Sequence, residues 1–250
     1  MIEFPALMEV SSIINSSHQL NPFNKTVLNT TVLSRKDPLR MIQNGEIYKS
    51  PRDLRLIIHG SKGGDVPPIV SYLVNQVQQI RGSSVELEIL TQDQLQFSKS
   101  SSIWLIPLLL LPGKHVCYDV PLIADRLRSQ GVITNELPFL GSWNHWLSIL
   151  EDLIDIESNI ARPILIHHPL NNGMGTSFLN SIRKRLNIPI IPWTEWHSIK
   201  DTSDEKLSPI PYSLSPNKNT KGLRENDSIS SLLEIQSFLN GLIKILVNLP

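Results

Sequence analysis

The sequence is poor in cysteine, in aromatic residues and in charge of one sign. Cys117 is the only thiol in 250 residues, which excludes an internal disulfide framework and any multi-cysteine zinc or iron–sulfur site within one chain. Twenty-three basic side chains balance 23 acidic ones, which argues against a basic nucleic-acid footprint and against a polybasic membrane module. No apolar run is long: Ile103 to Pro112 is about half the ~20 residues that a membrane span needs. The opening MIEFPALMEV lacks a positive region followed by an apolar stretch, so a secretory leader is not expected. A soluble protein of the cytoplasm is the expectation.

The remaining composition, 40% hydrophobic, supports a sizeable core in one large or two small domains. Residues 1–50 are rich in Ser, Asn and Thr and show no sustained period of 2 or 3.6. They read as an N-terminal extension. From Leu54 the pattern sharpens. Leu54–Ile58 (LRLII) is a buried-strand run ending in His-Gly. Ile69, Val70, Leu73, Val74, Val77 and Ile80 recur at helical spacing after Pro67 and Pro68. Val85–Leu90 alternates like a strand, and Ile103–Leu111 is the near-continuous apolar run of a strand covered on both faces. Asp119 and Pro121 read as an N-cap and early-helix pair. Ser142 or Asn144 is a candidate cap for a helix carrying Trp146, Leu150 and Ile154. Strands alternating with helices predict an α/β fold with parallel sheets flanked by helices.

The second half repeats this plan. Pro163–His167 (PILIH) mirrors Leu56–His59 (LIIH). Pro211-Tyr-Ser-Leu-Ser-Pro216-Asn-Lys-Asn219 lies over Pro107-Leu-Leu-Leu-Leu-Pro112-Gly-Lys-His115 at nearly the same offset. Two anchors in the same order point to an internal duplication, with halves at 51–158 and 159–250. Residues 197–208 and 217–228 are polar and read as loops.

His59 and His115 each follow a predicted parallel strand, and ligands of open α/β sheets bind at that carboxyl edge. Two imidazoles in one cleft can hold a divalent transition metal and accept protons near neutrality. The same placement also fits two loop histidines that share nothing. The loop His59-Gly-Ser-Lys-Gly-Gly-Asp65 is neither a P-loop nor G-x-G-x-x-G, which weakens a phosphate reading. A hydrolase needs a G-x-S-x-G elbow, and Gly175-Thr-Ser177-Phe-Leu179 lacks its last glycine.

The combination of Leu-Ile-Ile-His59-Gly-Ser, Ile106-Pro-Leu-Leu-Leu-Leu-Pro-Gly-Lys-His115-Val-Cys-Tyr-Asp119-Val-Pro121 and Leu140-Gly-Ser-Trp-Asn-His145 resembles the sirohydrochlorin chelatases, the class II enzymes that insert cobalt or ferrous iron into a tetrapyrrole. The resemblance is good over roughly residues 53–155 and weak over 162–250. It implies two tandem flavodoxin-like half-domains, the first carrying both metal histidines and the second degenerate, with Asn219 where the first half has His115. It implies His59 and His115 as catalytic and metal-holding residues, with Co²⁺ or Fe²⁺ as substrate and no organic cofactor. It further implies a carboxylate-rich macrocycle, for which Ser61, Lys62, Lys114 and His167 are candidate contacts and Arg183 a weaker one. A monomer or weak homodimer acting on a small molecule is expected, with neither nucleic acid nor membrane as partner. A non-catalytic tetrapyrrole- or metal-binding protein is the alternative. Two departures motivate it: Thr91 stands where many members carry glutamate, with Glu86 and Glu88 alternating to one face inside the strand. The segment from Thr91 to Ile103 also leaves little room for a crossover helix. Trp193, Trp196, Cys117 and His145 read as structural residues.

Overall fold

The computed structural model describes residues 51–60, 63–92, 97–170, 173–200, 202, 205–216 and 231–250. Residues 1–50, Ser61, Lys62 and Asn219, together with the loop expected at 217–228, lie outside the described residues.

The chain forms two parallel sheets. The first is built from β1 (Asp53–Ile58), α1 (Pro68–Arg81), β2 (Val85–Ile89), β3 (Ser102–Pro107), α2 (Val120–Ser129), β4 (Ile133–Glu136) and α3 (Asn144–Ser158). The second is built from β5 (Arg162–His167), α4 (Gly173–Leu186), β6 (Ile190–Pro192), α5 (Trp193–Lys200), β7 (Leu207–Pro211) and α6 (Gln236–Val247). Their strand orders, β2-β1-β3-β4 and β6-β5-β7, share one plan. A short 3₁₀ turn precedes α3 at Leu140–Ser142 and α6 at Leu232–Glu234, so the repeat extends to the helix entries. The duplication read from two sequence anchors therefore has a counterpart in topology.

Parallel strands are covered on both faces, and β1 shows how. Leu54, Leu56 and Ile58 point into a large apolar cluster with Val70, Leu73 and Val77 of α1. Trp146 and Leu150 of α3 and Phe238 and Leu242 of α6 belong to the same cluster, as does Leu165 of β5. Ile57 points the other way and meets Ile103, Leu105, Ile123 and Leu127 under α2. One continuous core thus spans both sheets, and the edge-to-face pair of Trp146 and Phe238, with ring centres 4.9 Å apart, sits in it.

The two sheets differ at one connection. In the second sheet, α5 links β6 to β7 and lays Trp196 on Ile164 and Ile166. In the first, no helix joins β2 to β3 among the described residues. That face carries charge instead. Arg55, 1% exposed, donates to Glu88 at 2.8 Å and to Glu86 at 2.9 Å, and Arg126 of α2 donates to Glu88 at 2.8 Å. Ser98 donates to Glu86 as the 97–101 segment crosses above. Glu86 and Glu88 do share a face, as their alternation predicts, and both are engaged by Arg55.

Three expectations need correction, and a fourth holds in position alone. The strand expected over Ile103–Leu111 ends at Pro107. Residues 108–111 instead form a loop whose Leu109 carbonyl accepts from Gly141 at 3.0 Å. Only glycine fits there, because a Cβ on Gly141 would lie 1.9 Å from the Leu110 carbonyl oxygen. Residues 197–208 are not all loop, since α5 runs to Lys200 and β7 begins at Leu207. Neither Ser142 nor Asn144 caps α3: Trp143 holds the N-cap position without a side-chain cap bond. Asp119 does hold the N-cap position of α2, with Pro121 in the first turn, but it makes no side-chain cap bond. It closes a wide π-helical turn, His115–Asp119, that runs straight into α2.

Candidate metal centre

Strand order fixes where this site can form. From β1 the chain crosses to β2 on one side, and β3 lies on the other. The loops leaving the carboxyl ends of β1 and β3 therefore diverge and leave a crevice between them, the usual ligand position of open parallel sheets. His59 follows β1 directly, and His115 follows β3 after the 108–114 loop.

The structure brings the two imidazoles together. Their ring centres are 4.9 Å apart and their planes are steeply inclined at 79°. Two imidazoles each ~2.1 Å from one ion have ring centres roughly 5 Å apart, so the spacing suits a shared metal. The hydrogen bonds also orient the pair. His59 Nδ1 lies 2.8 Å from the Gly60 carbonyl oxygen. His115 Nδ1 lies 2.5 Å from Asp119 Oδ2. A carbonyl or carboxylate oxygen only accepts, so each Nδ1 donates, which in the neutral ring leaves Nε2 as the acceptor. A ligating histidine is commonly held this way, with a carbonyl or carboxylate on its other nitrogen.

Local backbone explains both placements. Gly60 has φ +75°, a left-handed conformation that favours glycine. A Cβ there would lie 2.4 Å from Ile89 Cγ2 and 2.7 Å from Thr91 Oγ1. The turn after His59 therefore presses against the end of β2, and Thr91 lies beside it. At His115, single π turns inside helices often accompany functional sites. Here the wide turn spaces His115 and Asp119 so that carboxylate and imidazole meet.

Of the other sequence-selected residues, Lys114 is exposed next to His115. Cys117 points its sulfur toward the Pro112 carbonyl, and burial pushes its thiol pKa up, which favours the thiol over the thiolate that a soft ligand needs. His145 is exposed in the first turn of α3. Trp196 is core. Arg183 donates to the Ile190 carbonyl at 2.8 Å, which ties α4 to β6. His167 ends β5 and is 7% exposed. The loop after it meets the loop before His115: a Cβ on Gly113 would touch Leu170 at 3.4 Å.

Asp119 is the residue whose partner sequence reasoning missed: it holds the N-cap position before Pro121, but its carboxylate goes to His115. The usable signal was the His115-x-x-x-Asp119 spacing, which puts both on one helical face. Among the described residues no group of three or more His, Cys, Asp or Glu side chains is arranged to hold a metal, and the donors described at this edge are the histidine pair with Asp119 behind His115. A shallow depression lined by Arg55, Ser84, Glu86, Phe97 and Lys99 lies at the opposite, amino-terminal end of the first sheet.

This is an α/β protein with two parallel sheets and a histidine pair at a strand-order switch. No family model matches the sequence, and no curated protein matches it. Among solved structures, the fold is similar to that of the sirohydrochlorin chelatase SirB from Bacillus subtilis subspecies spizizenii in complex with cobalt. The TM-score is 0.53 at 16% identity, and the match covers 78% of this chain and 95% of that one. The likeness shows the fold. No helix among the described residues is long and apolar enough to cross a membrane.

Proposed function

We propose that the chain inserts a divalent metal, cobalt or ferrous iron, into sirohydrochlorin or a related tetrapyrrole. The observation that carries this is the His59–His115 pair: two adjacent imidazoles, each with Nδ1 tied to an acceptor and Nε2 without a partner among the described residues, at the switch point of a fold similar to that of a cobalt-bound chelatase.

The chemistry asks for little more. A hydrated ion must shed water, and the macrocycle must give up two pyrrole protons as its nitrogens close on the metal. Two neutral imidazoles hold Co²⁺ or Fe²⁺ less tenaciously than several thiolates would and leave positions open for the incoming ring. On this reading the half formed by residues 51–158 holds the ion and the half at 159–250 walls the macrocycle. Lys114 lies exposed beside the pair to meet the macrocycle's carboxylates, and Ser61 and Lys62 are carried as substrate contacts on sequence grounds. Asp119 accepts from His115 Nδ1, which fixes the ring's orientation as the outer partner of a ligating histidine does. Asp119→Asn is expected to weaken Co²⁺ binding by about 10- to 100-fold, the usual effect of removing such a partner. A Co²⁺ titration followed by visible absorbance measures it, and an unchanged affinity would exclude the role.

One observation favours a second reading. Thr91 lies against the His59 turn, where many chelatases carry glutamate, and its hydroxyl is a poorer proton acceptor than a carboxylate. A carrier that binds metal or macrocycle without turnover would follow from that loss. The two readings separate in an anaerobic insertion assay with sirohydrochlorin and Co²⁺ or Fe²⁺, read against a no-protein control. Multiple insertions per chain are the expected result. A shifted macrocycle spectrum with no turnover would establish the carrier instead.

A further inference from the structure

Resting on the chelatase reading, we propose that Lys114 of the first half and His168 of the second grip one carboxylate of the macrocycle between them, a clamp that closes only across the seam of the duplicated chain.

Strand pairing aligns the halves one residue away from their sequence likeness. Ile57 pairs with Pro107 and Ile166 with Pro211. Each isoleucine carbonyl accepts from the residue after the partner strand, Leu108 at 2.8 Å and Tyr212 at 2.7 Å. Ile166 is therefore the counterpart of Ile57, buried His167 that of Ile58, and His168 that of His59. The local chemistry repeats as well. His168 is exposed, and its Nδ1 lies 3.0 Å from the Pro169 carbonyl oxygen, as His59 Nδ1 meets the Gly60 carbonyl. The metal pair does not repeat, because Asn219 stands in the sequence where the first half has His115. His168 is thus presented like a ligating histidine in a half that lacks the matching one.

Its partner comes from the other half. A Cβ on Gly113 would meet Leu170 Cδ2 at 3.4 Å, so the loop entering His115 and the loop leaving β5 touch. Lys114 is the residue after Gly113, and His168 stands two before Leu170, no more than ~7 Å of extended chain away. Both side chains are exposed, and the flexible four-carbon stem of lysine covers such a gap. The junction is braced from behind. Phe139 and Phe178 meet edge to face with ring centres 5.2 Å apart, and Arg185 of α4 donates to Glu151 of α3 at 2.6 Å. Lys114 brings an ammonium to the seam. In the imidazolium form of His168 both ring nitrogens donate, so Nδ1 keeps its bond to Pro169 while Nε2 donates to the carboxylate. The proton comes from solvent, and a bound anion favours the charged ring. Glu195 of α5 and Arg183 of α4, which act on the neighbouring His167, carry opposite signs and leave the incoming carboxylate to decide. The clamp starts one residue from His115, so a macrocycle centred on the metal pair can reach it with an acid of its rim.

Spectral titration of metal-free sirohydrochlorin into the parent chain, His168→Ala, Lys114→Ala and the double variant tests the clamp without requiring turnover. Each single substitution is expected to raise Kd about 3- to 10-fold, the scale of one partly screened, charge-assisted contact. The double variant should raise it by clearly less than the product of the two, because both groups hold the same carboxylate. His168→Arg should restore Kd to within about twofold of the parent, which a merely structural histidine would not allow. Co²⁺ affinity should stay at the parental value throughout. Parental Kd in the His168→Ala chain overturns the inference. So does a double variant equal to the product, which would assign the two residues to separate groups. Loss of Co²⁺ affinity in His168→Ala also overturns it, because His168 would then be a metal ligand. These outcomes, with a parent that binds the macrocycle, sink the inference alone. A parent that binds the macrocycle but inserts no metal sinks the chelatase reading and leaves the clamp standing, whereas one that binds no macrocycle sinks both.

Discussion

Replacing His115 with alanine is expected to remove Co²⁺ binding and to reduce metal insertion to the rate seen without protein. The same is expected of His59→Ala. Each substitution leaves a single imidazole, and among the described residues no third His, Cys, Asp or Glu completes the site. A two-ligand site has no reserve: one imidazole competes poorly with the ion's water shell, so the loss should exceed the 10- to 100-fold typical of removing a ligand's hydrogen-bond partner. The two single variants should also be non-additive, because each alone dismantles the site and the double variant has nothing further to lose. Fold is not at stake, since His59 is exposed and the His115 side chain is 37% exposed. Far-ultraviolet circular dichroism and urea midpoints should therefore match the parent. A His115→Ala chain that inserts Co²⁺ at the parental rate would mean that the 4.9 Å ring pair is only a stacked contact.

The pair was legible in the sequence because it rests on coarse features. A buried strand that ends in His-Gly, and an apolar run that ends in Pro-Gly-Lys-His, place both residues at one sheet edge whatever the exact strand limits. Features that depend on a specific tertiary partner were not legible. Asp119 holds the N-cap position before Pro121, and although its i,i+4 spacing from His115 was visible, only the folded chain shows that the carboxylate goes to that ring rather than to the helix end. The α5 helix was hidden because, among its described side chains, only Trp196 is fully buried, too sparse for helical period to show. The Ile103–Leu111 run was read as one strand because burial, not extension, is what an apolar run reports. Its last four residues are a loop against Gly141.

Arg55 gives the other large expected effect, and it shows how the first sheet fills a face that the second covers with a crossover helix. Arg55→Ala leaves Glu88, itself 5% exposed, with Arg126 as its remaining cation and a void where the guanidinium lay. Breaking a buried ion pair from one side costs roughly 3–5 kcal/mol, because the surviving charge stays buried. At roughly 2–4 °C per kcal/mol for a domain of this size, the melting temperature should fall by about 10 °C. The double variant Arg55→Leu/Glu88→Leu should recover most of that loss, since apolar side chains of similar reach often replace a buried pair at little cost. The second sheet already shows such a solution, with Trp196 of α5 packed on Ile164 and Ile166. Urea unfolding of the parent, single and double variants measures all three. Equal destabilisation in the single and double variants would mean that the ion pair itself stabilises the sheet. Recovery in the double variant would mean that the charges occupy the place of the second half's helix, and that the first half can be repacked without touching His59 or His115.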